Sequence, residues 1–168
     1  MNSPAQIWIC SAFLPAHGFG GWANVRRGSG QLAGAAGGDR RTTASRIALA
    51  GLATALRDLR SGEPGASGPI DIRTTSPELA LFADVLAGLG QSAQTALPDE
   101  DLDLWAQIVT ASAGRGMTLI RAPSQPGTAM AFTVAWAQLA CDKAKAGGPF
   151  TAAIPKANLA KIQEPAWR

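Results

Sequence analysis

The chain has 168 residues, 46% of them hydrophobic and 16% charged, which suits one domain with a sizeable core and excludes a disordered or fibrous chain. Fifteen Lys and Arg against twelve Asp and Glu leave a net charge of +3, which permits a nucleic-acid partner without demanding one. No apolar run reaches the ~18 residues that span a bilayer, and the single histidine, His17, excludes multi-histidine metal sites.

The opening MNSPAQIWIC carries no basic residue ahead of its short apolar run, so it does not read as a secretory signal, and a cytoplasmic location is expected. Gln6 to Cys10 is predicted as a strand, with Trp8 and Cys10 on one face and Ile7 and Ile9 on the other. A glycine-rich turn, His17 to Gly21, leads to a second strand over Trp22 to Arg27. Gly28-Ser29-Gly30 reads as a hairpin turn into a weaker third strand, Gln31 to Ala36. Three strands joined by tight turns predict an antiparallel meander.

Thr43 to Leu59 is the clearest helix, because Leu49, Leu52, Leu56 and Leu59 recur at helical spacing while Arg46, Arg57 and Arg60 lie off that stripe. Thr42 or Thr43 can cap it, and Ser61-Gly62 ends it. Ser61 to Pro69 reads as a linker and Ile70 to Thr74 as a fourth strand. Ser76-Pro77-Glu78 combines a capping serine, a proline at the first helical position and an acid in the first turn, predicting a helix to about Leu86. Further helices are expected over Asp101 to Ala113 and Ala129 to Ala146, with a fifth strand at Met117 to Arg121 between them. The order β-β-β-α-β-α-α-β-α predicts a five-stranded mixed sheet flanked by helices, with the meander antiparallel and the helix-joined strands parallel. Residues 1–148 form the expected domain and 149–168 a C-terminal extension, with a short helix after Pro155.

This order, and several strings within it, resemble ribonuclease H over about residues 5 to 146. The strings are the loop Gly18-Phe19-Gly20-Gly21-Trp22, the helix opening Thr42-Thr43-Ala44-Ser45-Arg46-Ile47-Ala48-Leu49, the helix start Asp103-Leu104-Trp105 and the late Ala137-Gln138-Leu139-Ala140. The resemblance implies an α/β ribonuclease H-like fold. It also implies a cleavage of RNA–DNA hybrids by two magnesium ions held among four carboxylates.

Those four positions read Cys10, Ala48, Thr75 and Ala137 in this chain, and none is a carboxylate. The family's histidine before the last helix is also missing from Ala122-Pro123-Ser124-Gln125-Pro126-Gly127. Displaced acids do not obviously rebuild the site. Asp71 begins the fourth strand about 13 Å from its end at ~3.3 Å per residue, Glu78 suits a helix dipole, and Asp142 lies more than a turn beyond Ala137. No metal and no other cofactor is therefore expected. The Asn side chains with which the family reads the RNA 2′-hydroxyl are replaced by Ala44 and Ser45, and the region of its basic protrusion is net acidic here.

The expectation is a catalytically inactive ribonuclease H-like domain that binds nucleic acid, with Thr43, Arg46, Arg26, Arg27, Arg40 and Arg41 as candidate contacts. The alternative is a protein-interaction or assembly scaffold that docks a partner or a second copy through Ile154, Leu159, Ile162 and Trp167 in the tail. Residual hybrid cleavage ranks third. Cys10 has only His17 as a conceivable base, so a packed thiol is expected rather than a nucleophile. Cys141 is expected to be structural.

Overall fold

A computed structural model describes residues 4–28, 31–91 and 95–162. Strands β1 (Ala5–Leu14), β2 (Phe19–Gly28) and β3 (Gln31–Asp39) form the antiparallel meander. Helix α1 (Ala44–Gly62) then returns the chain to β4 (Ile70–Thr74), which pairs parallel with β1. Helices α2 (Pro77–Ala80), α3 (Ala83–Leu89) and α4 (Leu102–Ser112) lead to β5 (Met117–Arg121), parallel to β4. Helix α5 (Ala129–Gly147), strand β6 (Phe150–Ala153) and α6 (Lys156–Leu159) complete the described chain.

The sheet order is β5-β4-β1-β2-β3-β6, six strands rather than the expected five. The added strand is Phe-Thr-Ala-Ala, too short and too weakly patterned to be read as a strand from sequence. What makes it one is tertiary: β3 offers a free edge, and β6 pairs antiparallel along it from Ala35↔Ala153 to Gly38↔Phe150. The helix expected from Ser76 to Leu86 is instead two helices. Ser76 caps α2 as expected, its hydroxyl accepting from the Leu79 N–H, but the chain turns at Leu81–Phe82 before α3 begins.

Side-chain alternation divides the core between the two faces of the sheet. Ile7 and Ile9 of β1 and Ile70 and Ile72 of β4 pack under α1 and α4, where Leu49, Leu52, Leu56 and Leu59 are all buried. Fully burying one such leucine contributes roughly 1.5–3 kcal/mol, so the α1 stripe alone anchors the helix. Trp8 and Cys10 face the other way, in a cluster with Val25, Met130, Ala137 and Ala140 beneath α5. Ile154, Leu159 and Ile162 join that second cluster. Residues 150–162 therefore extend the sheet and cover one end of its α5 face.

Helix α5 crosses β2 very closely. A Cβ on Gly21 would stand 2.7 Å from the Ala137 carbonyl oxygen and would also strike the Cys141 backbone nitrogen. The glycine-rich string ahead of Trp22 is a packing requirement between strand and helix.

Candidate functional site

The parallel register Ile9↔Thr74 puts Thr75, just beyond the end of β4, beside Cys10 on β1. The Thr75 hydroxyl donates to the Cys10 Sγ at 3.3 Å, and the thiol donates to the Met130 Sδ at 3.4 Å from the first turn of α5. Cys10 is 1% exposed. Burial pushes its thiol pKa up, against the smaller lowering effect of hydrogen bonding with Thr75. A buried, protonated thiol beside a thioether is a packing arrangement, not an activated nucleophile. The adjoining polar chain runs from Ser11 Oγ, donating to Ser76 Oγ at 3.4 Å, to Ser76 Oγ, donating to Glu78 Oε2 at 3.0 Å. Glu78 is thereby fixed at the start of α2 beside its capping serine.

The loops joining β1 to β2 and β3 to α1 meet at the same end of the sheet. The Thr42 N–H donates to the Gly18 carbonyl at 3.1 Å. Gly18 has φ +69, a left-handed conformation that glycine adopts without strain. His17 stacks on Phe19 with ring centroids 5.5 Å apart, and the Arg40 guanidinium lies 5.4 Å from the Phe19 centroid. Asp39 Oδ1 accepts from the backbone N–H groups of Arg40 and Arg41, fixing the bend and leaving both side chains exposed.

Comparison with solved structures identifies this architecture. LC11-RNase H1, solved in complex with an RNA/DNA hybrid, matches with a TM-score of 0.63 at 18% identity, over 84% of this chain and 99% of that one. LC9-RNase H1, a type 1 RNase H with the type 2 active-site motif, matches with a TM-score of 0.59 at 19% identity, over 100% of this chain and 92% of that one. The N-terminal RNase H domain of Rv2228c from Mycobacterium tuberculosis gives 0.59 at 18%, over 85% and 96%. The chain has the ribonuclease H fold. No protein-family model and no curated protein matches it.

Within the ribonuclease H fold, the structure brings together two of the four positions singled out in the sequence, Cys10 and Thr75. Ala48 packs in the cluster on the α1 face, whereas Cys10 points to the α5 face. Ala137 lies seven residues, or about 10 Å at 1.5 Å per residue, along α5 from Met130. It is Met130 whose side chain touches Cys10. Nothing in the sequence singled out Met130, one apolar residue in an apolar helix. Two sulfurs and a hydroxyl do not fit magnesium, a hard ion that takes oxygen ligands and draws most of its affinity from anionic ones. Among the described residues there is no group of three or more His, Cys, Asp or Glu that could hold a metal ion.

The candidate nucleic-acid contacts differ in burial and in the partners they hold. Arg26 is largely buried: its Nη1 donates to Asn24 Oδ1 at 2.5 Å and lies 3.7 Å from Asp58. Burial lowers its pKa, with Asp58 opposing the shift. Arg27 is half-buried. Arg46 is held by two acids, its Nη1 at 3.0 Å from Asp101 and its Nη2 at 2.7 Å from Asp103. The Thr43 hydroxyl accepts from the Arg46 N–H at 3.1 Å and so caps α1. The exposed pair Arg40 and Arg41 remains.

The tail residues proposed to dock a partner are occupied by the chain itself. Ile154, Leu159 and Ile162 are 4%, 2% and 9% exposed, because β6 and α6 fold them onto β3 and the cluster beneath α5. Trp167 lies outside the described residues. No helix among the described residues is long and apolar enough to cross a membrane.

Proposed function

We propose that this domain binds nucleic acid without cleaving it, through the sheet end where Arg40 stands over Phe19 of the Phe19–His17 pair and Arg41 is exposed next to it in the chain. The observation that carries this reading is the exposed Arg40 guanidinium over the stacked Phe19 and His17 rings, with exposed Arg41 following it in the chain. Phosphates and unstacked bases recognise that combination. The fold supports it, since LC11-RNase H1 was solved holding an RNA/DNA hybrid. The loss of cleavage rests on chemistry: Cys10, Ala48, Thr75 and Ala137 supply no anionic oxygen, and an in-line displacement with no metal to clamp its oxygens lacks its main source of charge stabilisation.

The test is a salt titration of binding to hybrid, duplex and single strands, with magnesium-dependent cleavage assayed on the same preparation. Binding that weakens steeply with salt, as phosphate contacts release counterions, is the expected result. No binding at low salt sinks the reading. Cleavage that survives repurification and is lost on mutating Glu78 overturns the non-catalytic half.

A protein-scaffold role is the second reading. It is favoured by the outer face of α5, where Leu139 is 59% exposed beside half-buried Trp136 and Phe132.

A further inference from the structure

Helix α5 packs across β1, β2 and β3, so the α5 face of β4 and β5 is left open, and Thr118 and Ile120 of β5 are exposed. Register places Trp8, Arg73 and Ile120 side by side across β1, β4 and β5 on that face. They form the floor of a cleft of about 200 Å³, which Pro123 and Gln125 of the β5–α5 loop and Met130 of α5 also line. The volume is below the ~300–1,000 Å³ of pockets for drug-sized ligands, so the occupant is small. Among the described residues, Arg73 is the one charged residue in the lining.

Arg73 is half-buried, and it makes no ion pair or hydrogen bond with any described residue. Asp71 sits two residues back on the same face and does not reach it. Burying part of a guanidinium without a partner is unfavourable, and a guanidinium's planar donors match a phosphate or carboxylate in two-pronged fashion. Ile120, Pro123 and Met130 supply apolar walls for a flat body, and Gln125 an amide for its polar edge. Thr75, which closes on Cys10, lies two residues further along the chain, just past the end of β4, so the cleft adjoins the Cys10–Thr75–Met130 contact.

We infer that this cleft takes a single nucleotide by its phosphate monoester, with Arg73 as the phosphate ligand. The choice of phosphate over another small anion rests on the nucleic-acid reading above. The phosphate can come from the end of a strand or from a free mononucleotide, and both present the same group.

The test compares a dinucleotide carrying a 5′-phosphate with its unphosphorylated counterpart, together with a 5′-mononucleotide, by calorimetry on the full chain. The phosphorylated dinucleotide is expected to bind at least about tenfold more tightly, a ratio typical of a charge-assisted contact. Arg73→Gln should erase that preference, and Arg57→Gln, an exposed arginine on α1 outside the cleft, should leave it intact. A mononucleotide that binds as well as the dinucleotide assigns the pocket to free nucleotide; weaker binding assigns it to strand ends. Equal affinity for the two dinucleotides, or a preference that survives Arg73→Gln, overturns the inference. Ile120→Trp, which fills the cleft from its rim, must give the same loss and serves if Arg73→Gln fails to fold. Salt-dependent strand binding without a phosphate preference sinks this inference alone. A phosphate preference without strand binding sinks the proposed function and leaves the pocket standing.

Discussion

Arg46 grips Asp103 with both arms of its guanidinium, Nη1 at 2.9 Å from Oδ1 and Nη2 at 2.7 Å from Oδ2, while Nη1 also reaches Asp101 at 3.0 Å. The contact ties the first turn of α1 to the start of α4 and holds Asp101 in a left-handed conformation, φ 56. Asp is one of the few residues other than glycine that tolerates that region. With its carboxylate turned to Arg46, Asp101 makes no side-chain cap to α4. Hydrogen bonding to Arg46 lowers the Asp103 pKa from 3.8 to about 2. A lowered carboxyl pKa contributes stability above the unfolded value and loses it as pH falls through the folded one. The start of α4 should therefore loosen between about pH 4 and pH 2, read as faster amide exchange over α4. Asp103→Asn should remove that pH dependence, and high salt should shrink it because the pair is exposed. A pH-independent α4 in the wild type would rule the linkage out.

Gly21 and Gly20 are adjacent in one string but should respond differently to alanine. A Cβ at Gly21 meets the backbone of α5 at Ala137 and Cys141, whereas at Gly20 it meets the Ile47 and Thr42 side chains at 2.8 Å. Backbone cannot move without shifting the whole helix; a side-chain tip can turn. Gly21→Ala is expected to destabilise by about 3 kcal/mol or more, at the upper end of overpacking costs, and Gly20→Ala by about 1 kcal/mol. Urea midpoints at constant slope are the measurement. Equal effects would mean that α5 is free to lift.

Much of this fold was legible because its signals are local. The leucine stripe of α1, the Ser76-Pro77-Glu78 helix start and the alternation of Ile7, Trp8, Ile9 and Cys10 all report on their own backbone, and each stands as read. Strand β6 was not legible, because Phe-Thr-Ala-Ala becomes a strand only through the free edge of β3. The site was half legible. Cys10 and Thr75, two of the four positions named from the sequence, are in contact, but the third member, Met130, depends on where α5 crosses the sheet. The Arg residues were least legible: pairing in sequence could not reveal that Arg26 turns inward to Asn24 and Asp58 while Arg40 turns outward over Phe19.

Cys10 should resist alkylation in the folded protein. It is buried, and its pKa is raised by that burial despite the Thr75 hydrogen bond. A raised thiol pKa means less thiolate, the reactive form, at neutral pH. The Cys141 thiol is also raised, first by burial and then by the nearby Asp142. Iodoacetamide at pH 7 is expected to modify neither thiol on the timescale that modifies both in denaturant, as read by intact mass. Rapid native labelling of Cys10 would mean that the Thr75–Cys10–Met130 contact opens and that the thiol is available for chemistry.

The arginines give a clean separation of stability from binding. Arg26→Ala leaves Asp58 and Asn24 without a largely buried partner, so it should lower the melting temperature while its direct effect on binding stays small. Arg40→Ala and Arg41→Ala remove exposed groups, so they should change stability by no more than ~0.5 kcal/mol. Each should instead weaken nucleic-acid binding about equally across sequences and reduce the slope of log affinity against log salt by about 1, the signature of one lost phosphate contact. Arg46→Ala is the discriminating control, because its guanidinium is already spent on Asp101 and Asp103. It should loosen α4 and leave the salt slope unchanged. A slope that falls for Arg46→Ala and not for Arg40→Ala would move the binding surface from the β3–α1 loop to the α1–α4 junction.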